Sequence, residues 1–163
     1  MLKPTLTCRQ VHEAARWSNP ESVQLLLSAG ADTSIRNNHG DTPLIKYAYE
    51  MSGFCLNYHH LDGRGTNPRL ETFKLVMQST VGVNAKNDRG DTALHALANG
   101  RLSGHMAQGR MEAAKSLIEK GADVSSRNGD AKTAGDLFIQ NDTGLLLQKD
   151  AFLVQLLAGT NTK

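Results

Sequence analysis

Internal repetition is the feature that most restricts the fold of this chain, because a sequence that repeats at a fixed period folds as a stack of similar units. One phrase occurs three times, as NHGDTPL at 38–44, DRGDTAL at 88–94 and, more weakly, NGDAKTA at 128–134. A second phrase precedes each copy by a few residues, as LLLSAGADTS at 25–34, VMQSTVGVNA at 76–85 and LIEKGADVSS at 117–126. Two linked phrases in constant order indicate one structural unit repeated along the chain.

The first phrase carries the signals of a turn followed by a helix. Gly40 and Gly90 lie in polar segments where a residue without Cβ can adopt a positive φ. The threonine that follows can cap a helix by accepting a backbone N–H bond, and it recurs as Thr42, Thr92 and Thr133. Pro43 suits the first helical turn, where its missing donor would be unpaired in any case.

The second phrase predicts another helix and its end. Apolar pairs at Leu26–Leu27, Val76–Met77 and Leu117–Ile118 are expected on its buried face. Val23 and Phe73 lie three residues before their pairs, which is the helical spacing for one apolar stripe. Gly30 and Gly121 are expected to end this helix.

Turn, TPLH-like helix start, second helix and GAD ending together resemble the ankyrin repeat, whose period is about 33 residues. The resemblance implies an all-α solenoid of four helix–turn–helix repeats with short β-like turns, forming a single domain over 1–163. The repeats are predicted at about 5–36, 37–86, 87–127 and 128–158, with a polar tail at 159–163. It also implies that His95, and His12 in the corresponding place of repeat one, hydrogen-bond backbone between adjacent turns. Repeat two has Ile45 instead.

The spacing of the capping threonines predicts two insertions. Their positions at 42, 92 and 133 give intervals of 50 and 41. Against a period of about 33, repeat two carries roughly 17 extra residues and repeat three roughly 8. We place them at about 51–69 and 99–110, between the two helices of each repeat. Since repeats stack in register, both insertions are expected at the same end of the helical layer.

Composition excludes several classes of function. Lys+Arg 18 against Asp+Glu 16 leaves a net charge of +2, too small to argue for nucleic acid or an anionic membrane. No apolar run is long enough to span a bilayer, and MLKPTLTCRQ lacks the apolar core of a secretory signal. Cys8 and Cys55 are too few for a disulfide framework. The interpretation is a cytoplasmic chain, in a host cytosol if it is an exported effector.

Catalytic and metal chemistry find little support. Cys55, His59 and His60 lie close together in the first insertion, and His105 lies in the second. Two soft ligands one helical turn apart could share a metal ion, although closed zinc sites usually show four ligands at recognisable spacing. No nucleophile signature, phosphate loop or dinucleotide fingerprint is present. We therefore expect no enzyme, no catalytic residue, no metal and no cofactor. The alternative is an enzyme or metal-binding protein with its site in the insertions.

The leading hypothesis is a non-catalytic interaction module, adaptor or inhibitor, that is monomeric alone and binds another protein of unknown identity. In ankyrin repeats, partners usually contact the turn tips and the exposed face of the first helix. Position by position, that resemblance implies the partner-binding residues Arg36, Asn38, His39, Asp41, Lys46, Tyr49, Glu50, Lys86, Asp88, Arg89, Asp91, Asn99, Arg127 and Asp130. Tyr49 and Arg89 are of the residue types that most often anchor an interface. A preference for an acidic peptide is weakened by the interleaved Asp41 and Asp91. Solvated charges that keep the array soluble are the alternative.

Asn84 matches the asparagine near the ankyrin turn that some host hydroxylases modify. This implication holds only for a protein that meets a eukaryotic cytosol. The alternative is a turn asparagine that hydrogen-bonds its own backbone.

Overall fold

The computed structural model describes residues 8–16, 19–52, 68–99 and 107–141. These residues form seven α-helices and no β-strand, which confirms the all-α class. The helices are α1 (Cys8–Arg16), α2 (Pro20–Ser28), α3 (Pro43–Ser52), α4 (Pro68–Ser79), α5 (Ala93–Ala98), α6 (Ala107–Glu119) and α7 (Ala134–Asn141). The only β-type pairing within these ranges is an isolated antiparallel bridge between Arg127 and Thr133.

The helices are arranged in two layers. The first helices of successive units pack in the order α1, α3, α5 and α7, and the second helices pack in the order α2, α4 and α6. Within a unit, α1 packs on α2, α3 on α4, and α5 on α6. A stack in which each unit contacts its neighbours is a solenoid.

Parts of several predictions lie outside the described residues. They are the end of repeat four, the polar tail 159–163, and most of both insertions. The predicted repeat boundaries and single-domain extent stay predictions. The insertion bounds were too wide, because α3 continues to Ser52, α4 begins at Pro68 and α6 begins at Ala107.

The capping threonines begin the first helices as predicted. Thr42 Oγ1 accepts from Ile45 N at 3.3 Å, and Thr92 Oγ1 accepts from His95 N at 3.5 Å. Thr133 makes a reciprocal cap, since its Oγ1 accepts from Asp136 N at 3.1 Å while Asp136 Oδ2 accepts from Thr133 N at 2.8 Å. Each cap satisfies N–H groups that the first helical turn leaves without an intrahelical partner.

The core lies between the two layers. The second helices bury Val23, Phe73, Val76, Met77 and Leu117, while Leu27 and Ile118 are partly buried against the same cluster. The first helices contribute residues such as Leu44, Ile45 and Leu94. Ile45 is buried, so the position where the family pattern has histidine is filled by an apolar core residue in repeat two. Burying one such side chain stabilises the fold by about 1.5–3 kcal/mol.

Glycines end the second helices of repeats one and three. Gly30 has φ 82° and Gly121 has φ 92°, conformations that a side chain disfavours. After Gly30, Ala31 N donates to Leu26 O at 3.0 Å and Gly30 N to Leu27 O at 3.0 Å, the hydrogen-bond pattern of a Schellman motif. Ala122 and Gly121 repeat it on Leu117 O and Ile118 O, both at 2.9 Å.

Helix α4 has Thr80 where the other second helices have glycine, and residues of both neighbouring repeats complete its end. Thr33 Oγ1 donates to Ser79 O at 3.0 Å. From the other side, Lys120 Nζ donates to Met77 O and, at 3.1 Å, to Gln78 O. A lysine ammonium at the negative end of a helix dipole is favourable as well as hydrogen-bonded.

Candidate partner-binding surface

An asparagine side chain organises each turn. Asn37 Oδ1 accepts from His39 N at 2.8 Å and from Asp41 N at 3.0 Å. Asn87 and Asn128 make the same pair of bonds within their own turns, at 2.9–3.1 Å. The three turns therefore share one backbone shape, and equivalent side chains leave the stack in equivalent places.

Asp41 and Asp91 join consecutive turns rather than facing solvent. Asp41 Oδ1 accepts from Asn87 Nδ2 at 2.8 Å, and Asp91 Oδ1 accepts from Asn128 Nδ2 at 2.8 Å. Asp41 is 5% exposed and Asp91 is 4% exposed. The expectation that these carboxylates lie exposed among the turn-tip residues is wrong, because each is buried and accepts a hydrogen bond from the asparagine of the next repeat. We call the Asp41–Asn87 and Asp91–Asn128 pairs the ladder. Lys132 occupies the position equivalent to these aspartates in repeat four.

Backbone contacts hold the tips of the turns against each other. Asp88 N donates to His39 O at 3.2 Å, and Gly129 N donates to Arg89 O at 2.8 Å. Gly40 (φ 71°) and Gly90 (φ 76°) allow this approach, as expected for turn glycines. A Cβ on Gly90 would lie 2.8 Å from Gly129 N, and a Cβ on Gly40 would collide with the Asp88 carboxylate. The turns thus form one continuous, close-packed surface.

Both family histidines bind backbone of the following turn, as the resemblance implied. His95 Nε2 lies 3.0 Å from Lys132 O, and His12 Nε2 lies 3.3 Å from Asp41 O. His95 Nδ1 accepts from Thr92 N at 3.3 Å, so the proton of the neutral ring lies on Nε2 and is donated to Lys132 O. His95 is 1% exposed, and these bonds assign it a structural role.

Tyr49 and Arg89 form a pair across the boundary between repeats two and three. The Arg89 guanidinium carbon lies 5.0 Å from the centre of the Tyr49 ring, and Arg89 Nε is 3.4 Å from Asp91 Oδ2. The Tyr49 hydroxyl donates to Asp91 Oδ2 at 2.6 Å. Burial, and then the Asp91 carboxylate, raise the pKa of Tyr49 to about 12. Tyr49 is therefore half-buried and joins the two repeats, whereas the Arg89 side chain is 65% exposed.

The three basic residues that precede the turns remain on the surface. Arg36, Lys86 and Arg127 are all exposed. Lys86 Nζ donates to Arg127 O at 2.8 Å, and Arg127 Nη1 donates to Ala131 O at 2.6 Å. The predicted row of cations thus lies along one side of the turns, with its members in adjacent repeats.

The other predicted contact residues lie on the same face or at its margins. Asn38, His39, Asp88 and Asp130 are exposed at the turn tips. On α3, Lys46 Nζ and Glu50 Oε1 pair at 3.0 Å and both stay partly exposed. Asn99 is the exposed C-cap of α5, at the end of that helix rather than on its face.

Asn84 bonds the backbone of the next repeat. Its Nδ2 donates to Gly121 O at 3.1 Å, and its Oδ1 accepts from Asp123 N at 2.8 Å. The alternative that it hydrogen-bonds its own backbone is not the arrangement seen. In the equivalent turns, Asp32 Oδ1 instead accepts from the hydroxyl and the backbone N–H of Ser34, and Asp123 Oδ1 accepts from the same two groups of Ser125. The hydroxyl bonds first, and then the N–H bonds, hold the pKa of both carboxyls below the ordinary value.

Arg110 falls within the predicted bounds of the second insertion, yet its side chain is buried. It lies in α6, is 2% exposed, donates through Nη2 to Leu97 O, and has its guanidinium carbon 5.8 Å from the centre of the Phe138 ring. Burial lowers its pKa to about 10, so it stays charged at neutral pH. Together with Asn141, whose Nδ2 donates to Ala98 O at 3.0 Å, it completes the carbonyl end of α5.

The predicted site residues include the aspartates of the ladder but not the asparagines that organise the turns. Asn37, Asn87 and Asn128 stand four residues before Asp41, Asp91 and Lys132, so the repeat period could have revealed them. The proposed metal ligands Cys55, His59, His60 and His105 lie outside the described residues. Within the described ranges, no group of three or more His, Cys, Asp and Glu is arranged to hold a metal ion. The same part of the chain contains no helix that meets the length and hydropathy needed to cross a bilayer.

Helix pairs stacked in register, with asparagine-organised turns bonded tip to tip, define a helical repeat protein with one continuous turn surface. The Ankyrin repeat family model matches residues 11–38 and 89–129. The chain therefore contains ankyrin repeats. Ankyrin repeats are protein–protein interaction modules, and the family is generally non-catalytic.

The curated relatives match this chain over a small part of their own length. Neurogenic locus notch homolog protein 1 of Mus musculus and of Homo sapiens is 31% identical over 140 residues, which is 76% of this chain and 5% of the relative. The E3 ubiquitin-protein ligase KEG of Arabidopsis thaliana is 32% identical over 89 residues, 55% of this chain and 4% of the ligase. A transient receptor potential cation channel subfamily A member 1 homolog of Caenorhabditis elegans is 33% identical over 81 residues, 48% of this chain and 7% of the channel. The chain thus corresponds to a small part of each.

Proposed function

We propose that this chain is a non-catalytic module that binds another protein through its turn tips and the exposed face of its first helices. The observation that supports this most is that some residues of each turn connect the repeats while their neighbours in the turn stay exposed. Asn87, Asp91 and Gly90 hold one turn to its neighbours, while Arg89 and Asp88 beside them are left exposed. Exposed side chains on a backbone that is already ordered are suited to recognition.

A fixed surface has an energetic advantage in binding. Ordering a loop or a rotamer-rich side chain on association costs about 0.5–1.5 kcal/mol for each side chain immobilised. Here the turn backbones are already ordered by Asn87 and Asn128 and by the bonds between tips. The Arg89 side chain is also oriented before binding, by Tyr49 and Asp91. The cost of forming a complex on this face is therefore reduced.

The binding surface we propose is the predicted one without the buried Asp41 and Asp91 and without Tyr49. Asp41 and Asp91 act inside the stack, and Tyr49 contributes by supporting Arg89. The side chains left for contact are Arg36, Asn38, His39, Lys46, Glu50, Lys86, Asp88, Arg89, Asn99, Arg127 and Asp130.

The relatives are proteins of different kinds, which favours an interaction role over one shared catalytic activity. A notch homolog, a ubiquitin-protein ligase and a cation channel share this segment as a small fraction of their length. We infer an adaptor or inhibitor role, with the chain monomeric alone and located in the cytoplasm. Sedimentation of the purified chain tests whether it is monomeric, and imaging of a tagged chain tests whether it is located in the cytoplasm.

Affinity capture with matched variants tests the proposal. A turn-face variant, Lys46→Ala/Arg89→Ala, is compared with an outer-helix variant, Gln24→Ala/Lys74→Ala, which changes exposed residues of α2 and α4. Mass spectrometry should identify a protein retained by the wild type and the outer-helix variant but lost from the turn-face variant. Loss with the outer-helix variant alone would place the contact on the opposite layer and overturn the proposal.

A further inference from the structure

The basic residues that precede the turns have no carboxylate partner in the described part of the chain. Arg36, Lys86 and Arg127 occupy the same place in three consecutive turns and are exposed. Among the described residues, none of them forms an ion pair within 4.0 Å, and Arg36 makes no hydrogen bond. We call these three residues the basic row.

Members of the basic row are held close together by the stack. Lys86 Nζ reaches the main-chain oxygen of Arg127 at 2.8 Å, which places its ammonium beside the next cation. A carbonyl oxygen satisfies a donor but removes no net charge. Like charges fixed along one edge of a surface add to a positive potential that attracts an anionic partner.

Most of the nearby carboxylates are held by groups other than the basic row. Asp41 and Asp91, which the sequence interleaves with the row, are buried in the ladder. Asp88 packs its carboxylate against Gly40. Asp123 near Lys86, and Asp136 near Arg127, have their oxygens bonded by N–H groups of Ser125 and Thr133. Asp130 is exposed, at the tip of the last turn.

Arg89 adds a site suited to one carboxylate. Its ring partner Tyr49 and the contact of Nε with Asp91 fix the plane of the guanidinium. The two terminal nitrogens form no hydrogen bond with any described residue, and the side chain is 65% exposed. A planar guanidinium matches the two oxygens of a carboxylate.

We infer that the turn face binds an acidic segment of a partner protein, with one carboxylate paired to Arg89 and others attracted by the basic row. This inference rests on the proposed function and adds the charge of the partner to it. The binding step is an association of ions, with no covalent change.

Fluorescence anisotropy on the full chain tests this with defined probes. The first probe is a labelled peptide of alternating Glu and Gly, and the second replaces every Glu by Gln. The Glu peptide should bind and the Gln peptide should not, with affinity falling steeply as salt is added. Arg36→Gln, which breaks no internal contact, and Arg89→Lys, which keeps the charge but loses the fork, should each weaken binding several-fold. Lys74→Gln removes an equal charge from α4 and should leave it unchanged.

Three results would overturn the inference. One is equal weakening by Lys74→Gln and Arg36→Gln, which would show attraction to net charge alone. Another is tighter binding of a single-stranded DNA oligonucleotide than of the Glu peptide, which would show a nucleic-acid surface. The third is a captured partner that needs the turn face but binds it independently of salt and of Arg36. That last result would leave the proposed function standing and reject only the acidic segment.

Discussion

Ala131 has φ 57° in the turn position where Gly90 has φ 76°. Both residues stand three after the turn asparagine, at Asn128 and Asn87. Gly90 faces the next turn, where a Cβ would meet Gly129 N at 2.8 Å. Ala131 belongs to the last described turn, so no further described turn approaches it. Glycine is therefore needed in this position for the close approach of the following turn as well as for the positive φ.

Alanine substitutions at two glycines separate these two effects. Gly30→Ala introduces only backbone strain, since φ is 82° and a Cβ there has nothing within 4 Å. We expect it to lower the free energy of unfolding by about 1–2 kcal/mol, the cost of a left-handed conformation with a Cβ. Gly90→Ala adds the collision with Gly129 and should cost distinctly more in urea unfolding. Equal losses would show that turn-to-turn packing contributes nothing at Gly90.

Asp91→Ala tests the side-chain ladder between turns. The change leaves the Asn128 amide and the Tyr49 hydroxyl without their acceptor, and a buried group that loses its partner costs about 1–3 kcal/mol. We expect a decrease of at least that size in the free energy of unfolding. Asp88→Ala is the control in the same turn, because Asp88 is exposed, and it should stay within about 0.5 kcal/mol of wild type. A similar loss for both variants would contradict the structural role of Asp91.

The raised pKa of Tyr49 predicts that the stability of the chain depends on pH in the alkaline range. Its pKa is raised from 10.0 to about 12 in the folded chain, so the unfolded chain loses this proton first. The stabilisation from the neutral hydroxyl is fully present below pH 10 and is lost as the pH rises to about 12. Tyr49→Phe lacks that contribution at every pH. Chemical unfolding should therefore show a wild-type advantage over Tyr49→Phe that shrinks across this interval, and an advantage that is constant with pH would refute the assignment.

Two buried threonines should respond to valine in opposite ways. Thr72 in α4 is fully buried, and its hydroxyl has no hydrogen-bond partner among the described residues. Thr72→Val keeps the shape and removes that polar group, so stability should be unchanged or increased. Thr92→Val removes the N-cap of α5 and should cost about 0.5–2 kcal/mol. Thermal unfolding of the pair distinguishes them, and destabilisation by Thr72→Val would indicate that its hydroxyl is bonded.

The order of elements was predictable from the sequence because its signals are local. Helix starts are marked by Thr42, Thr92 and Thr133, and helix ends by Gly30 and Gly121. Each of these residues acts through bonds to residues a few positions away. Repetition then fixes the architecture, since equivalent units must bury equivalent faces. Helix existence and order follow from short-range geometry of this kind.

Side-chain roles on the turn face were less predictable because they depend on the neighbouring repeat. Asp41 and Asp91 are polar residues in polar turns, and nothing within one turn shows that the next asparagine covers them. Arg110 lies at the start of α6, and only the packing of α6 against α5 and α7 makes it buried. The bonds that bury the two aspartates join residues 46 and 37 positions apart in the sequence.

Lysine footprinting of the chain, alone and with its captured partner, tests the central claim most directly. Lys46 and Lys86 lie on the turn face, while Lys74 lies on α4 in the other layer. Mass spectrometry would report how fast an acylating reagent labels each amine. We predict that the partner slows labelling of Lys46 and Lys86 and leaves Lys74 unchanged. Slower labelling of Lys74, with Lys46 and Lys86 unaffected, would contradict binding through the turns.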